Sequence, residues 1–256
     1  MTTGISDHPT YRTFCSQAAI YPEVFQSFRR NELYCGVFES VNQEQGQDMI
    51  ECIDRDNPAL WNHLTAFKTS EQVGYPNVSG YPKIGVICPT TLRYIKILSD
   101  LIKHFTSLDK FKIAEIGVGY GGQCKIIHDV FHPAEYTLID LPEPLALTKK
   151  FLSEFSVPNL KFKTQEELVP ETYDLVISNY AFSECTIPVQ EAYINLVIAG
   201  SARGYMLYNF ITHLWRFENI PFDKIRSLKP GMLMLNDESD TKPVSVRDPN
   251  KLLIWK

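Results

Sequence analysis

The stretch "KIAEIGVGYGGQCKII", residues 112–127, carries the densest set of residues able to support chemistry in this chain. An apolar run feeds into Gly117, Gly119, Gly121 and Gly122 and then into a helical pattern. Counted at Gly117, Gly119 and Gly122, the spacing is G-x-G-x-x-G, the fingerprint of a dinucleotide loop. Counted from Glu115 through Gly117, Gly119 and Gly121, it is E-x-G-x-G-x-G, the opening of many S-adenosylmethionine (SAM) enzymes. The first pattern serves hydride transfer and the second serves methyl transfer. Both need glycine for the same reason. After the strand the backbone must turn sharply, approach a ligand with no Cβ in the way, and begin a helix against the sheet. Both also need an acid at the end of the next strand to accept hydrogen bonds from ribose hydroxyls. Asp140, which ends "YTLID", stands at the offset of about 20 residues that this requires.

Three features favour methyl transfer. Glu115 lies inside the strand, where a dinucleotide fingerprint wants an apolar residue; a carboxylate there is costly unless it is hydrogen-bonded, so it implies a polar task beside the loop. The loop occurs once, in mid-chain, behind a helical region. "YDLVISNYAFSEC" (173–185) then ends a later strand in polar and aromatic residues, at the carboxyl edge where doubly wound sheets hold ligands.

The elements that must hold these residues follow from hydrophobic periodicity. Short apolar runs at 112–117, 135–140, 160–164, 173–178, 204–210, 232–236 and 252–255 read as strands, with helical patterns at 121–132, 142–155 and 188–199. This alternation predicts an α/β, Rossmann-like, doubly wound seven-stranded sheet over residues 109–256. The proline-containing segment before the last run shows no crossover helix, so the last strand is expected to be antiparallel. Residues 1–108 read instead as an N-terminal helical cap or substrate region. Helices are predicted over 22–33, 46–53 and 58–67, a loop over 70–89, and a strongly periodic helix over 90–105 that Thr90 or Thr91 would cap.

Bulk properties narrow the partners. With 256 residues, 44% hydrophobic and 21% charged, the chain is an ordinary globular protein able to bury a sizeable core. A net charge of −5 without a Lys/Arg run argues against nucleic acid. No apolar run approaches the roughly 18–20 residues of a membrane span, and the N-terminus lacks a signal-peptide pattern, so a cytoplasmic protein is expected. The six cysteines are scattered singly with no zinc-ligand spacing and read as free thiols. "NDESD" (236–240) reads as a solvated acidic turn and not as a metal loop, and no metal is expected. A homo-oligomer is compatible with the sequence but not required by it.

The combination of "EIGVGYGG", "LIDLPEPLAL" and "YDLVISNYAFSE" resembles Class I SAM-dependent methyltransferases over residues 109–256. It is similar in particular to the sugar O-methyltransferase family, whose further stretches are similar to "CPTTLRY" (88–94) and "FRRNELY" (28–34). The resemblance implies SAM as cofactor and a small-molecule or glycan acceptor bearing a sugar hydroxyl. It implies that Gly117, Gly119 and Gly121 line the methionine and ribose portions, that Glu115 organises the loop or meets the amino group, and that Asp140 holds the ribose. Leu141 would cover the adenine and Asn179 would lie beside the methyl donor. Gln165 stands where the family's members often carry an Asp that contacts the adenine amino group.

A sugar hydroxyl must lose its proton as it attacks. His213, just after the fifth strand, is the first candidate for the base and Glu184 the second. Tyr180 and Asn209 would orient the acceptor, and Arg93 and Tyr94, on the periodic helix, are candidates for substrate binding. Other readings stay open: methylation of a different small metabolite, an NAD-dependent oxidoreductase, or a SAM-binding protein without activity.

Overall fold

The computed structural model describes residues 7–210, 218–237 and 250–256. The N-terminal region contains α1 (Pro9–Ile20), α2 (Pro22–Phe25), α3 (Glu32–Val37), α4 (Gln43–Asp56) and α5 (Leu64–Phe67). The single helix expected over 22–33 is broken into α2, a 3-10 turn at Phe28–Arg30 and α3. Asn31 causes the restart, because its side chain accepts from Leu33 N at 3.0 Å and Tyr34 N at 3.4 Å and so caps a new helix. The pattern at 46–53 extends back to Gln43, where Asn42 and Gln45 form a reciprocal capping box. The segment expected as loop contains a hairpin, β1 (Ser79–Tyr81) and β2 (Gly85–Ile87).

The long helix α6 (Pro89–Phe105) forms as its periodicity predicts, but Thr90 and Thr91 do not cap it. Cys88 occupies the cap position and Pro89 the first turn. The start of the helix is tied to a remote turn by Glu71, which accepts from Cys88 N at 3.0 Å and from Thr91 Oγ1 at 2.6 Å. A carboxylate supplied by a remote turn leaves no local sequence signal.

Beyond α6 run β3 (Lys112–Ile116), α7 (Gly122–His128), β4 (Glu135–Ile139), α8 (Pro142–Ser153), β5 (Leu160–Lys163), β6 (Tyr173–Asn179), α9 (Ile187–Tyr193), β7 (Ser201–Tyr208), α10 (Phe222–Leu228), β8 (Leu233–Asn236) and β9 (Lys251–Trp255). Helix α7 is shorter than the pattern over 121–132, and α9 passes into a π-helical turn at Ile194–Ile198. The seven strands lie in the order β5-β4-β3-β6-β7-β9-β8. All neighbours from β5 to β7 are parallel, whereas β9 is antiparallel to both β7 and β8. This is the doubly wound sheet with an antiparallel last strand. Helix α10, between β7 and β8, was not among the predicted helices; through it the chain reaches the outer edge first, and β9 returns into the gap.

Both faces of the sheet are covered, which explains why its strands read as continuous apolar runs instead of alternating ones. Leu175, Ile177, Tyr205, Leu207, Leu252 and Ile254 point to one face and join a core built with α6, α7, α8 and the N-terminal helices. The intervening Val176, Met206, Tyr208, Leu253 and Trp255 point to the other face, against α9 and Ile225 of α10. In the N-terminal region α1 packs on α8 and α4 packs on α6. Arg12 ties α1 to α8 through two bonds to Glu143, Nε–Oε2 at 3.0 Å and Nη2–Oε1 at 2.8 Å.

Candidate functional site

The strand order reverses between β3 and β6, since the chain winds one way through β4 and β5 and the other way through β7. Two strands whose connections leave in opposite directions open a crevice at their carboxyl ends. A cleft lies there, lined by the glycine loop, the ends of β4 and β6, and residues from α1, α3 and α6.

Gly117 and Gly119 sit at this crevice with φ of 75° and 56°, in the left-handed region that favours glycine. A Cβ on Gly117 would overlap that of Ala181, and one on Gly119 would stand 2.9 Å from the ring of Phe38. Gly121 is placed differently. It lies outside the cleft lining and packs under α8, where a Cβ would meet Thr148 Cγ2 at 2.9 Å and Leu152 at 3.1 Å.

Two buried carboxylates flank the loop. Glu115 is 1% exposed and accepts from Tyr136 Oη at 2.7 Å. Burial raises its pKa to about 8, the Tyr136 bond opposing and the nearby Asp140 adding to the effect. Asp140 accepts from Leu141 N at 2.7 Å through Oδ1 and from Val118 N at 2.8 Å through Oδ2, so it pins the glycine loop to the end of β4. Burial raises its pKa to about 6 against these backbone bonds. Its lone pairs exceed these bonds, leaving acceptor capacity for a ligand hydroxyl. Leu141, Gln165 and Glu166 continue this wall, facing Cys185, Val189 and Tyr193 of the next element.

At the end of β6, Asn179 lines the cleft and its Oδ1 is buried without a hydrogen-bond partner among the described residues. An orphaned acceptor of this kind is costly and marks a place for a ligand donor. Tyr180 follows with φ of 71°, lines the cleft, and donates its hydroxyl to Asp237 Oδ2 at 2.7 Å. The turn Ala181–Glu184 then brings Glu184 into the lining. Glu184 Oε1 accepts from Asn209 Nδ2 at 2.6 Å, and burial raises its pKa while Asn209 and Arg93 oppose the shift. Asn209 therefore reaches the cleft through Glu184 and does not line it. Arg93 and Tyr94 both line the cleft, and Arg93 Nη2 donates to the carbonyl of Phe38 at 2.8 Å. His213 lies outside the described residues, as do residues 238–240 of the acidic turn. Among the described residues no group of three or more His, Cys, Asp or Glu side chains is placed to hold a metal ion. No described helix is long and apolar enough to cross a membrane.

Sequence reasoning expected a cap from residues 1–108 but named no cleft residue in it before Arg93; Asp7, just before α1, Tyr11 of α1, and Val37 and Phe38 at the end of α3 line the cleft as well. Helix α1 did carry a signal, with Pro9 in its first turn and His8 Nδ1 accepting from Thr10 N at 3.3 Å. Phe38 carried none, because nothing local distinguishes an aromatic that covers a glycine 81 residues further on from one that fills a core.

No sequence-family profile matches this chain. Among solved structures it is similar to an S-adenosylmethionine-dependent methyltransferase from Clostridium acetobutylicum, with a TM-score of 0.48 and 12% identity over 63% of this chain and 89% of that one. It is also similar to the magnesium protoporphyrin IX methyltransferase of Synechocystis PCC 6803, with a TM-score of 0.46 and 13% identity over 63% and 80% of the two chains. Over 98 residues the sequence is 34% identical to the malonyl-[acyl-carrier protein] O-methyltransferase of Anoxybacillus flavithermus, a match that spans 38% of this chain and 38% of that protein.

Proposed function

We propose that this chain is a SAM-dependent O-methyltransferase acting on a hydroxyl of a sugar or sugar-containing small molecule. The observation that carries the cofactor part is the buried, unpartnered Oδ1 of Asn179 at the switch point, beside Gly117 and Gly119. It suits an ammonium donor, and the 34% identity to a methyltransferase supports the same class of chemistry. The sugar part rests on the family resemblance of the sequence motifs.

In this reading Asp140 holds the ribose hydroxyls, Glu115 and Asn179 Oδ1 receive the amino group, and the glycine loop admits the backbone of the ligand. Leu141, Val189 and Tyr193 enclose the base, with Gln165 beside it. When bound, the cofactor supplies an electrophilic methyl group on a sulfonium. Glu184 takes the acceptor's hydroxyl proton on its carboxylate, held in place by Asn209, while Arg93, Tyr94 and Tyr180 orient the acceptor. His213 remains a candidate for the same role by its position in the sequence. Residues 1–108 act as the cap that excludes water, through Asp7, Tyr11, Val37 and Phe38.

The test is calorimetry and thermal melting with S-adenosylhomocysteine and NAD side by side. S-adenosylhomocysteine is expected to bind and raise Tm by mass action, and NAD to do neither. Asp140→Ala is expected to weaken the binding by about 1.5–3 kcal/mol through lost charge-assisted hydrogen bonds. Tight NAD binding without a response to S-adenosylhomocysteine would refute the methyltransferase reading.

The cap has its own test. Arg12→Ala removes the fork that ties α1 to Glu143, and is expected to speed release of S-adenosylhomocysteine roughly two- to fivefold, in keeping with a half-exposed ion pair. Unchanged release in stopped-flow measurements would detach α1 from cofactor retention.

A further inference from the structure

Arg93 carries the only basic side chain in the described lining of the cleft, and among the described residues it has no ion-pair partner. Other enclosed cations of the chain are matched: Arg29 by Glu39, Lys96 by Asp100 and Asp237, and Lys125 by Asp129. Two carboxylates, Glu39 and Glu184, act on Arg93 through space, and each is bonded elsewhere. Glu39 holds Arg29 and accepts from Cys88 Sγ, and Glu184 Oε1 accepts from Asn209. A guanidinium offers five N–H donors, of which the Phe38 carbonyl takes one. The helix that bears Arg93 is seated on the glycine loop. Gln123 Nε2 of α7 donates to the Tyr94 carbonyl at 3.3 Å, and the Tyr94 ring stands against Gly122. The same cleft presents the opposite need at Asn179, whose buried Oδ1 is an acceptor with no donor among the described residues.

A cation lacking an anion and an acceptor lacking a donor are together the complement of an α-amino acid zwitterion. We infer that Arg93 is the anchor for the α-carboxylate of the cofactor and a clip for the cap: its remaining N–H groups take the carboxylate while Nη2 holds the carbonyl of Phe38. The inference rests on the SAM reading of the cleft and deepens it, since Arg93 then orients the acceptor by fixing the methionine chain that bears the methyl group. An enclosed guanidinium without a counter-ion is costly, and the ligand supplies the one that the fold does not. The planar fork matches the two oxygens of a carboxylate, a geometry that an ammonium cannot reproduce. Phe38 is also the residue whose ring stands 2.9 Å from the position of a Cβ on Gly119. The bond to its carbonyl therefore joins recognition of the carboxylate to the cover over the glycine loop.

The contact can be tested without knowing the acceptor, by pairing S-adenosylhomocysteine with its decarboxylated form, which keeps the adenosine, the thioether and the amine. Calorimetry on the full chain is expected to show the carboxylate favoured by about 10- to 150-fold in the wild type. Arg93→Gln is expected to lose that factor for S-adenosylhomocysteine while binding the decarboxylated compound within about threefold of wild type. Arg93→Lys, which keeps the charge and loses the fork, should retain part of the preference. Equal affinities in the wild type, or an equal loss for both ligands in Arg93→Gln, overturns the proposal. Unchanged S-adenosylhomocysteine affinity in Arg93→Gln overturns it too and gives the guanidinium to an anionic acceptor. If Arg93→Gln does not fold, Arg93→Lys decides, since a preference as large as in the wild type refutes the fork. Hydrogen exchange reads the clip at the Phe38 amide, which donates to the Tyr34 carbonyl at 2.9 Å. Its exchange should slow more with S-adenosylhomocysteine than with saturating decarboxylated compound, and equal slowing overturns the part given to Phe38. If neither ligand binds the wild type, the SAM reading itself has failed and the proposal falls with it.

Discussion

Glu184→Gln is expected to lower kcat for the proposed methyl transfer by about 10²–10⁴-fold, the range that a positioned general base supplies, and to leave the affinity for S-adenosylhomocysteine nearly unchanged. The expectation comes from three properties of one side chain. Glu184 lines the cleft next to Asn179 and Tyr180, the end assigned to the acceptor in the proposed function. Asn209 Nδ2 fixes its Oε1 at 2.6 Å, so the carboxylate is oriented without being neutralised. Burial raises its pKa, which brings a carboxylate closer to the strength a hydroxyl proton requires. The sign of the pH dependence follows: the base works only when ionised, so kcat/KM falls as pH drops through a pKa above that of an ordinary glutamate. That acidic limb should vanish in Glu184→Gln. Asn209→Ala, which frees the carboxylate without removing it, should cost less in kcat than Glu184→Gln does. If instead His213→Asn reproduces the loss and Glu184→Gln is close to wild type, the histidine is the base.

The sheet and the glycine-loop end of the cleft were legible because each depends on local pattern. Runs such as "YDLVIS" had to be apolar on both faces, and the glycine loop had to be glycine where φ is positive and a neighbour stands close. The place of Asp140 just past β4 in the cleft lining was readable from its offset alone. Gly121 shows where that logic stops, since the same loop geometry serves packing against Thr148 and Leu152 as readily as contact with a ligand. Which residues of the expected N-terminal cap reach the cleft was not legible for a different reason. Val37 and Phe38 reach the cleft through tertiary placement, fixed in part by Arg93 Nη2 and the carbonyl of Phe38, and a bond to a backbone carbonyl leaves no trace in residue identity. Glu71 at the start of α6 and the bond from Tyr180 to Asp237 are likewise long-range choices invisible to periodicity.

Glu115→Gln should make the ligand-free protein more stable and the cofactor site weaker. The wild-type carboxyl has a folded pKa near 8, raised above its unfolded value by burial. For an acid shifted in this direction the folded state binds the proton more tightly than the unfolded chain. Stability is therefore greatest below the unfolded pKa and is lost as pH rises toward the folded value. For Glu115 that window runs from about 4.5 to about 8, and at pH 7 the linkage amounts to roughly 3 kcal/mol. Asp140, with a folded pKa near 6, acts in the same sense over a lower window. Glutamine keeps an acceptor for the hydroxyl of Tyr136 and has nothing to ionise, so it escapes the penalty. The variant should melt several degrees higher at pH 7, and its Tm should decline less between pH 5 and pH 8 than that of the wild type. Binding should move the other way, because a ligand ammonium beside Glu115 expels its proton, and the resulting charge-assisted bond of about 1.5–3 kcal/mol, less the cost of that ionisation at pH 7, is one the amide cannot supply. S-adenosylhomocysteine should consequently raise the Tm of the wild type more than that of the variant. A ligand-free Glu115→Gln protein less stable than the wild type at pH 7 would show that the carboxylate is held by structural bonds and not reserved for a ligand. A stabilised variant that has lost its affinity would place the residue among those whose burial is tolerated for function at a cost in stability.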